Sequence, residues 1–224
     1  MGSHESTQSP CEVVAADAQF TPKNSRVEEE TLEQWRQATL DGKLTQIPGV
    51  GPVTAAALKR QGIKTSYALI GHFLSLVDED GLLPACDRFK ALLEDCETPP
   101  AYRDTVVLAI GEKISSGFLV DGLSTPADIR ASSQCNNQDI EDFLAKELTG
   151  DPQQDFKGVG PKSEAALAEM DVNTTWQMLG ALLMLGSAKK FEEQLKLAGV
   201  ASAWRSTIVH QCLEKLAAGL KLPA

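Results

Sequence analysis

The stretch IPGVGPVTAAALKRQGIKTSYALIGHFLSL, residues 47–76, recurs as FKGVGPKSEAALAEMDVNTTWQMLGALLML, residues 156–185, and the two align without a gap. Gly49, Val50, Gly51 and Pro52 meet Gly158, Val159, Gly160 and Pro161. Ala56, Ala57 and Leu58 meet Ala165, Ala166 and Leu167, Tyr67 meets Trp176, and Gly71 meets Gly180. A repeat that keeps its apolar positions in phase over this length decides the fold before any single element is assigned.

The glycines have a physical task. Two helices reverse direction in a tight loop only where the backbone takes φ > 0 or packs very closely, and glycine allows both. Pro52 and Pro161 suit the first turn of the following helix, where a missing N–H costs nothing. Thr54 and Ser163 fall in that same turn. The pattern predicts a helix-hairpin-helix, whose successive N–H groups at a helix N-terminus receive anions. A lone GxG before a helix is a weak signal, because many such turns only connect helices. Two copies in one register make the hairpin assignment specific and leave phosphate contact a separate question.

Outward from the hairpins, the match resumes after a seven-residue shortening of the second copy, with Phe89, Leu93 and Arg103 against Phe191, Leu195 and Arg205. Upstream, LEQWRQATLDGK (32–43) and IEDFLAKELTGD (140–151) each supply an aromatic-bearing amphipathic turn. LAIGEKISSGFL (108–119) and STIVHQCLEKLAAGL (206–220) read as final helices. Apolar spacing of three and four recurs, and no stretch alternates as an amphipathic strand does. The expected fold is all-α, two tandem compact helical domains. A polar leader at 1–26, expected to be extended, is followed by a first domain at 27–119, a linker at 120–136 and a second domain at 137–224.

Composition narrows the class. No apolar run approaches the ~20 residues that cross a bilayer. The N-terminus, MGSHESTQSPCEVVAADAQF, lacks the basic and apolar regions of a secretory signal, so an intracellular protein is expected. The five cysteines contain no CxxC pair and only three histidines could join them, which points to free thiols and to no metal or cofactor. The net charge of −10 is unevenly placed: −4 over residues 1–43, −2 over 44–120, −4 over 121–150 and zero over 151–224. Neither repeat core has the basic balance of most nucleic-acid binders. Trp35, Trp176 and Trp204 sit in apolar phase and read as core. The run Asp78, Glu79, Asp80 reads as a solvated loop, since the calcium-loop pattern is absent.

On these motifs the chain resembles the barrier-to-autointegration factor family. DFLAKELTGDPQQDFKGVG (142–160) looks like its first helix, spacer and hairpin, and LKRQGIKTSYALIGHFLSLVDEDGLLPACDRFKALLEDC (58–96) looks like the helices that follow. The resemblance spans about residues 30–119 and 138–220. It implies compact SAM-like helical domains that bind double-stranded DNA without sequence preference, dimerise, and receive partner proteins in a groove of the dimer. The implied hairpin contacts fall on Gly49, Val50, Gly51, Val53 and Thr54, and on Gly158, Val159, Gly160, Lys162 and Ser163, with Arg103 and Arg205 at the start of the last helix. The resemblance also implies that hairpin carbonyls could hold a monovalent cation.

The departures are as informative. Asp139 and Thr31 occupy the family's basic position before the first helix, and Pro100 and Ser202 replace a lysine ahead of the arginine. The first copy keeps Lys59, Arg60 and Lys64 on its second helix, where the second has Ala168, Glu169 and Asn173. Each cation on a phosphate adds salt-sensitive affinity by counterion release, so their loss weakens DNA binding. The expectation is a non-enzymatic architectural or adaptor protein. Its paired repeats form an intramolecular pseudo-dimer that binds protein partners of a larger assembly, with no membrane contact. The alternative is a non-specific double-stranded DNA binder acting through the first hairpin. Nothing in the chain remains to house a catalytic domain.

Overall fold

Two runs of short helices carry the repeat in the computed structural model, which describes residues 19–117 and 125–220. The first run holds a 3-10 turn at Pro22–Asn24, α1 (Glu29–Gln37), a 3-10 turn at Leu44–Gln46, α2 (Pro52–Arg60), α3 (Ser66–Ser75), α4 (Leu82–Asp95) and α5 (Pro100–Ser116). The second holds α6 (Ala127–Ser132), α7 (Asn137–Ala145), α8 (Pro152–Asp155), α9 (Pro161–Ala168), α10 (Thr175–Leu185), α11 (Ala188–Leu197) and α12 (Ser202–Ala218). Every regular element among the described residues is helical, and none is long and apolar enough to cross a membrane.

Local chemistry sets these boundaries. Thr65 and Thr174 cap α3 and α10 by accepting from the N–H groups of Ala68 and Gln177, and Gln177 completes a capping box. Pro52, Pro100, Pro152 and Pro161 open their helices at the first turn. The arm before each hairpin is shorter than the sequence suggests. Gly42 (φ +82°) and Gly150 (φ +92°) turn the chain just upstream, which leaves room for one helical turn only. The final helices start earlier than expected, at Pro100 and Ser202.

The third helices hold the copies together. α3 and α10 pack on each other more extensively than any other pair of elements. Leu69, Ile70, Phe73 and Leu74 of α3 and Met178, Leu179, Leu182 and Leu183 of α10 are buried. Helices apolar on nearly all faces end up enclosed, and burial of each such side chain contributes about 1.5–3 kcal/mol. Gly71 and Gly180 let the two backbones meet. A Cβ on Gly71 would lie 2.7 Å from the Gly180 carbonyl oxygen, and the reverse distance is also 2.7 Å. Further contacts reinforce this one: Leu220 N–H donates to Ile114 O across 2.9 Å, and Thr174 Oγ1 donates to Val77 O across 3.1 Å. One apolar cluster runs through both copies.

The copies share internal fastenings. Lys113 Nζ donates to the carbonyls of Trp35, Arg36 and Ala38, at 3.1, 2.8 and 2.5 Å. Lys215 Nζ donates to those of Phe143, Leu144 and Lys146, at 3.3, 3.1 and 2.7 Å. Each lysine thus satisfies the open carbonyl end of its copy's first helix, where the helix dipole favours a cation.

Segments read as leader and linker take part as well. Arg26 N–H donates to Thr105 Oγ1 at 2.9 Å, and Gln134 N–H donates to the matching Thr207 Oγ1 at 2.8 Å. Within 120–136, residues 127–132 form α6 and pack on α12. Of the leader at 1–26, residues 1–18 lie outside the described residues. Residues 22–24 form a 3-10 turn against α5 instead of an extended strand, because Asp87, Asp104 and Thr105 accept from the backbone there.

Candidate functional site

The two hairpins are built alike. Gly49 (φ +88°) and Gly158 (φ +98°) hold left-handed conformations. A Cβ on Gly49 would lie 2.9 Å from Val106 Cγ2, and one on Gly158 would lie 2.8 Å from Trp204 Cε3. Both glycines are therefore required by backbone shape and by close approach to the last helix. Val50 and Val159 point into the core, and their N–H groups are used inside the turn, on Ile47 O at 3.0 Å and Phe156 O at 3.3 Å. These two amides are not free for a phosphate, contrary to what the resemblance implies. Thr54 is buried. Gly51 and Gly160 start α2 and α9 with no side-chain cap. The open positions at the tips are Gly51, Pro52 and Val53 in the first copy and Pro161 and Lys162 in the second, with Gly160 and Ser163 half-buried.

The two arginines expected to face DNA are each tied to the fold through Nε. Arg103 Nε donates to Thr98 O at 2.9 Å, and Arg205 Nε donates to Val200 O at 2.7 Å. Arg103 also pairs with Glu94 at 3.0 Å, with its own side chain 13% exposed. Both sit one turn inside the last helix and reach back to the loop preceding it. Arg60 pairs with Glu97 at 2.9 Å on the open surface, where such a bond is worth well under 1 kcal/mol and yields readily. Lys59 and Lys64 are exposed.

A feature not read from the sequence lies beside the hairpins. In the first copy, Asp41, Lys43, Lys59 and Lys64 border an open groove floored by Ala55 and Tyr67. The same place in the second copy is bordered by Asp151 and Glu164, with Asn173 where Lys64 stands. Asp78 and Glu79 of the first copy's α3–α4 loop come into this second groove. One groove carries three lysines against one carboxylate, and the other carries four carboxylates and no cation among its lining residues. The signal lies in aligned pairs: Lys43 with Asp151, Ala55 with Glu164, Lys59 with Ala168 and Lys64 with Asn173. The entry of the Asp78 loop has no such signal, because it depends on how the copies pack.

The remaining polar chemistry is structural in placement. Burial pushes the Cys86 thiol up to about 12, with Asp87 adding to the shift, and raises Cys212 further. Such thiols are poor nucleophiles. Burial lowers His72 and His210, the latter against an opposing pull from Glu214 3.5 Å away. Among the described residues no three His, Cys, Asp or Glu side chains converge as a metal site.

Residues 41–71 match the model of the SAM-like helix-hairpin-helix tandem family. Comparison with curated proteins and with solved structures gives no match. The matched residues run from the turn before the first hairpin to the middle of α3, and this part of the first copy is a helix-hairpin-helix unit of the kind that serves nucleic-acid or protein interaction.

Proposed function

We propose that the chain is a non-enzymatic adaptor of the barrier-to-autointegration factor kind, in which two fused helix-hairpin-helix units stand where a homodimer would and hold partner proteins in a larger assembly. The packing of α3 on α10 through Gly71 and Gly180 carries this reading, because it uses up the surface that a second chain would need. The net charge of −10 and the employment of Arg103 and Arg205 inside the fold also favour protein partners over a polyanion. The test is light scattering of the purified chain together with capture and identification of partners from the cells that make it. A single-chain mass and a defined partner set, lost in a Gly71→Leu, Gly180→Leu variant, are expected. A stable homodimer, or no partner enriched over a control capture, overturns the proposal.

A second reading, non-specific binding of double-stranded DNA through the first copy, is favoured by one observation: Lys59 and Lys64 stand exposed in the last turn of α2 and in the loop after it. Anisotropy titration with a short duplex tests it. Binding that weakens steeply with salt and with Lys59→Ala, Arg60→Ala supports it, and no binding at about 50 mM salt excludes it.

A further inference from the structure

We infer that the groove beside the first hairpin is a docking site for an acidic peptide segment of a partner protein, and that the matching groove of the second copy rejects the same segment. This rests on the adaptor reading and names the chemistry of the partner.

The argument begins with the paired grooves. They are the same part of the same fold, yet one has a net charge of +2 and the other −4 from their lining residues. Among the described residues Lys59 and Lys64 have no carboxylate within ion-pair distance, and Lys43 pairs with Asp41 at 2.6 Å. Two exposed ammonium groups without a carboxylate therefore face the groove.

The shape suits a chain better than a point ion. The groove is open, about 520 Å³ in volume, with Ala55 and the Tyr67 ring as an apolar floor and the ammonium groups at its rim. A peptide can lay side-chain stems on that floor while its carboxylates meet the lysines. Lysine suits this role, since its flexible ammonium follows single carboxylates without demanding a fixed fork geometry.

The extent of the positive region separates a peptide from a nucleic acid. Duplex DNA carries a charge every ~1.7 Å over a long rod and needs a basic track. Here the basic groove is an island, because Glu97 neutralises Arg60 and Asp41 neutralises Lys43. At physiological salt, charges interact over about 8 Å, so a short acidic segment senses only the groove whereas a long polyanion also meets the acidic surface around it. The second groove repels both through Asp151, Glu164 and Glu79, with Asp78 paired to Arg88 at 2.8 Å.

The test uses the full chain and a fluorescein-labelled peptide of alternating Glu and Ala. A Gln-for-Glu peptide and a short DNA duplex serve as comparisons. Anisotropy is read at about 0.05 M salt, where screening still permits charge contacts beyond ~10 Å. Saturable binding of the Glu peptide at one per chain is expected, with none for the Gln peptide. Lys59→Glu, Lys64→Glu should weaken it at least about tenfold, while Lys190→Glu, Lys196→Glu, the same charge change on the second copy's surface, should leave it within about twofold. Equal loss in both variants overturns the site. So does a duplex that binds tighter than the peptide and depends on Lys59 and Lys64, which assigns the groove to nucleic acid. No binding of the Glu peptide also overturns it, and capture of partners by the full chain would then show that the adaptor reading stands without it. Circular dichroism of both variants checks that they are folded.

Discussion

Gly71 and Gly180 face each other across the α3–α10 contact so closely that a Cβ on either would lie 2.7 Å from the carbonyl oxygen of the other. That distance is short of any real carbon–oxygen contact, so the two helices touch by backbone. Gly71→Ala would also bring its methyl to 2.8 Å from Met184 Cγ and 2.9 Å from Met184 N. The helices must then part, and overpacking of this kind costs about 1–3 kcal/mol. At Gly111, inside α5, a Cβ would meet nothing within 4 Å. Gly111→Ala should stabilise by about 0.5–1 kcal/mol through helix propensity. Urea unfolding of the two variants should move in opposite directions.

Lys113 and Lys215 make a second matched pair, each donating to three carbonyls at the end of its copy's first helix. Lys113→Met keeps most of the apolar stem and removes the donor, leaving buried acceptors unpaired. A loss of about 2–4 kcal/mol is expected, and a similar one for Lys215→Met. Thermal melts would decide this; a neutral effect at either site would mean that water replaces the ammonium group.

Thr98 and Val200 occupy matching places before the last helix, and each offers its carbonyl to the arginine that follows. The Thr98 hydroxyl is buried and has no hydrogen-bond partner, and the second copy avoids the problem by having valine. Thr98→Val keeps the shape and removes the unmet polar group. Stability should rise by about 1 kcal/mol, a shift of about 2–4 °C in Tm for a chain of this size.

His210 is nearly enclosed, with Nδ1 unpartnered and Nε2 3.5 Å from Glu214, which also accepts from Arg130 and Thr125. Burial lowers its pKa, so the charged form is disfavoured in the folded chain. Below about pH 6.5 the unfolded chain takes up a proton that the folded chain resists, so stability falls as pH falls. Leu108 stands at the matching place in α5, which makes His210→Leu a natural replacement. That variant should lose less stability between pH 7 and pH 5, as read by denaturant titration at each pH. The lowered His72 remains and keeps part of the slope.

Much of the helical organisation was legible before the fold was seen. GVGP twice and the apolar spacing specify short helices around a hairpin through local sterics and periodicity, which act within a few residues. The arm before each hairpin is cut to one turn by Gly42 and Gly150, and glycine alone does not announce its φ. The carbonyl bonds of Arg103 and Arg205 are hidden from the sequence for a related reason. An arginine near a helix start looks the same whether it faces an anion or a carbonyl five residues back, and only the path of the loop decides.

By itself the sequence determined the duplication, the all-helical class, the glycine hairpins and the loss of cations from the second copy. These follow from residue types at fixed spacing along one chain. Tertiary structure alone decided that the copies meet through Gly71 and Gly180, that Lys113 and Lys215 close the first helices, and that the Asp78 loop enters the second groove. Each of these joins residues far apart in the chain, and the close approach that makes them energetic exists only once both copies have packed.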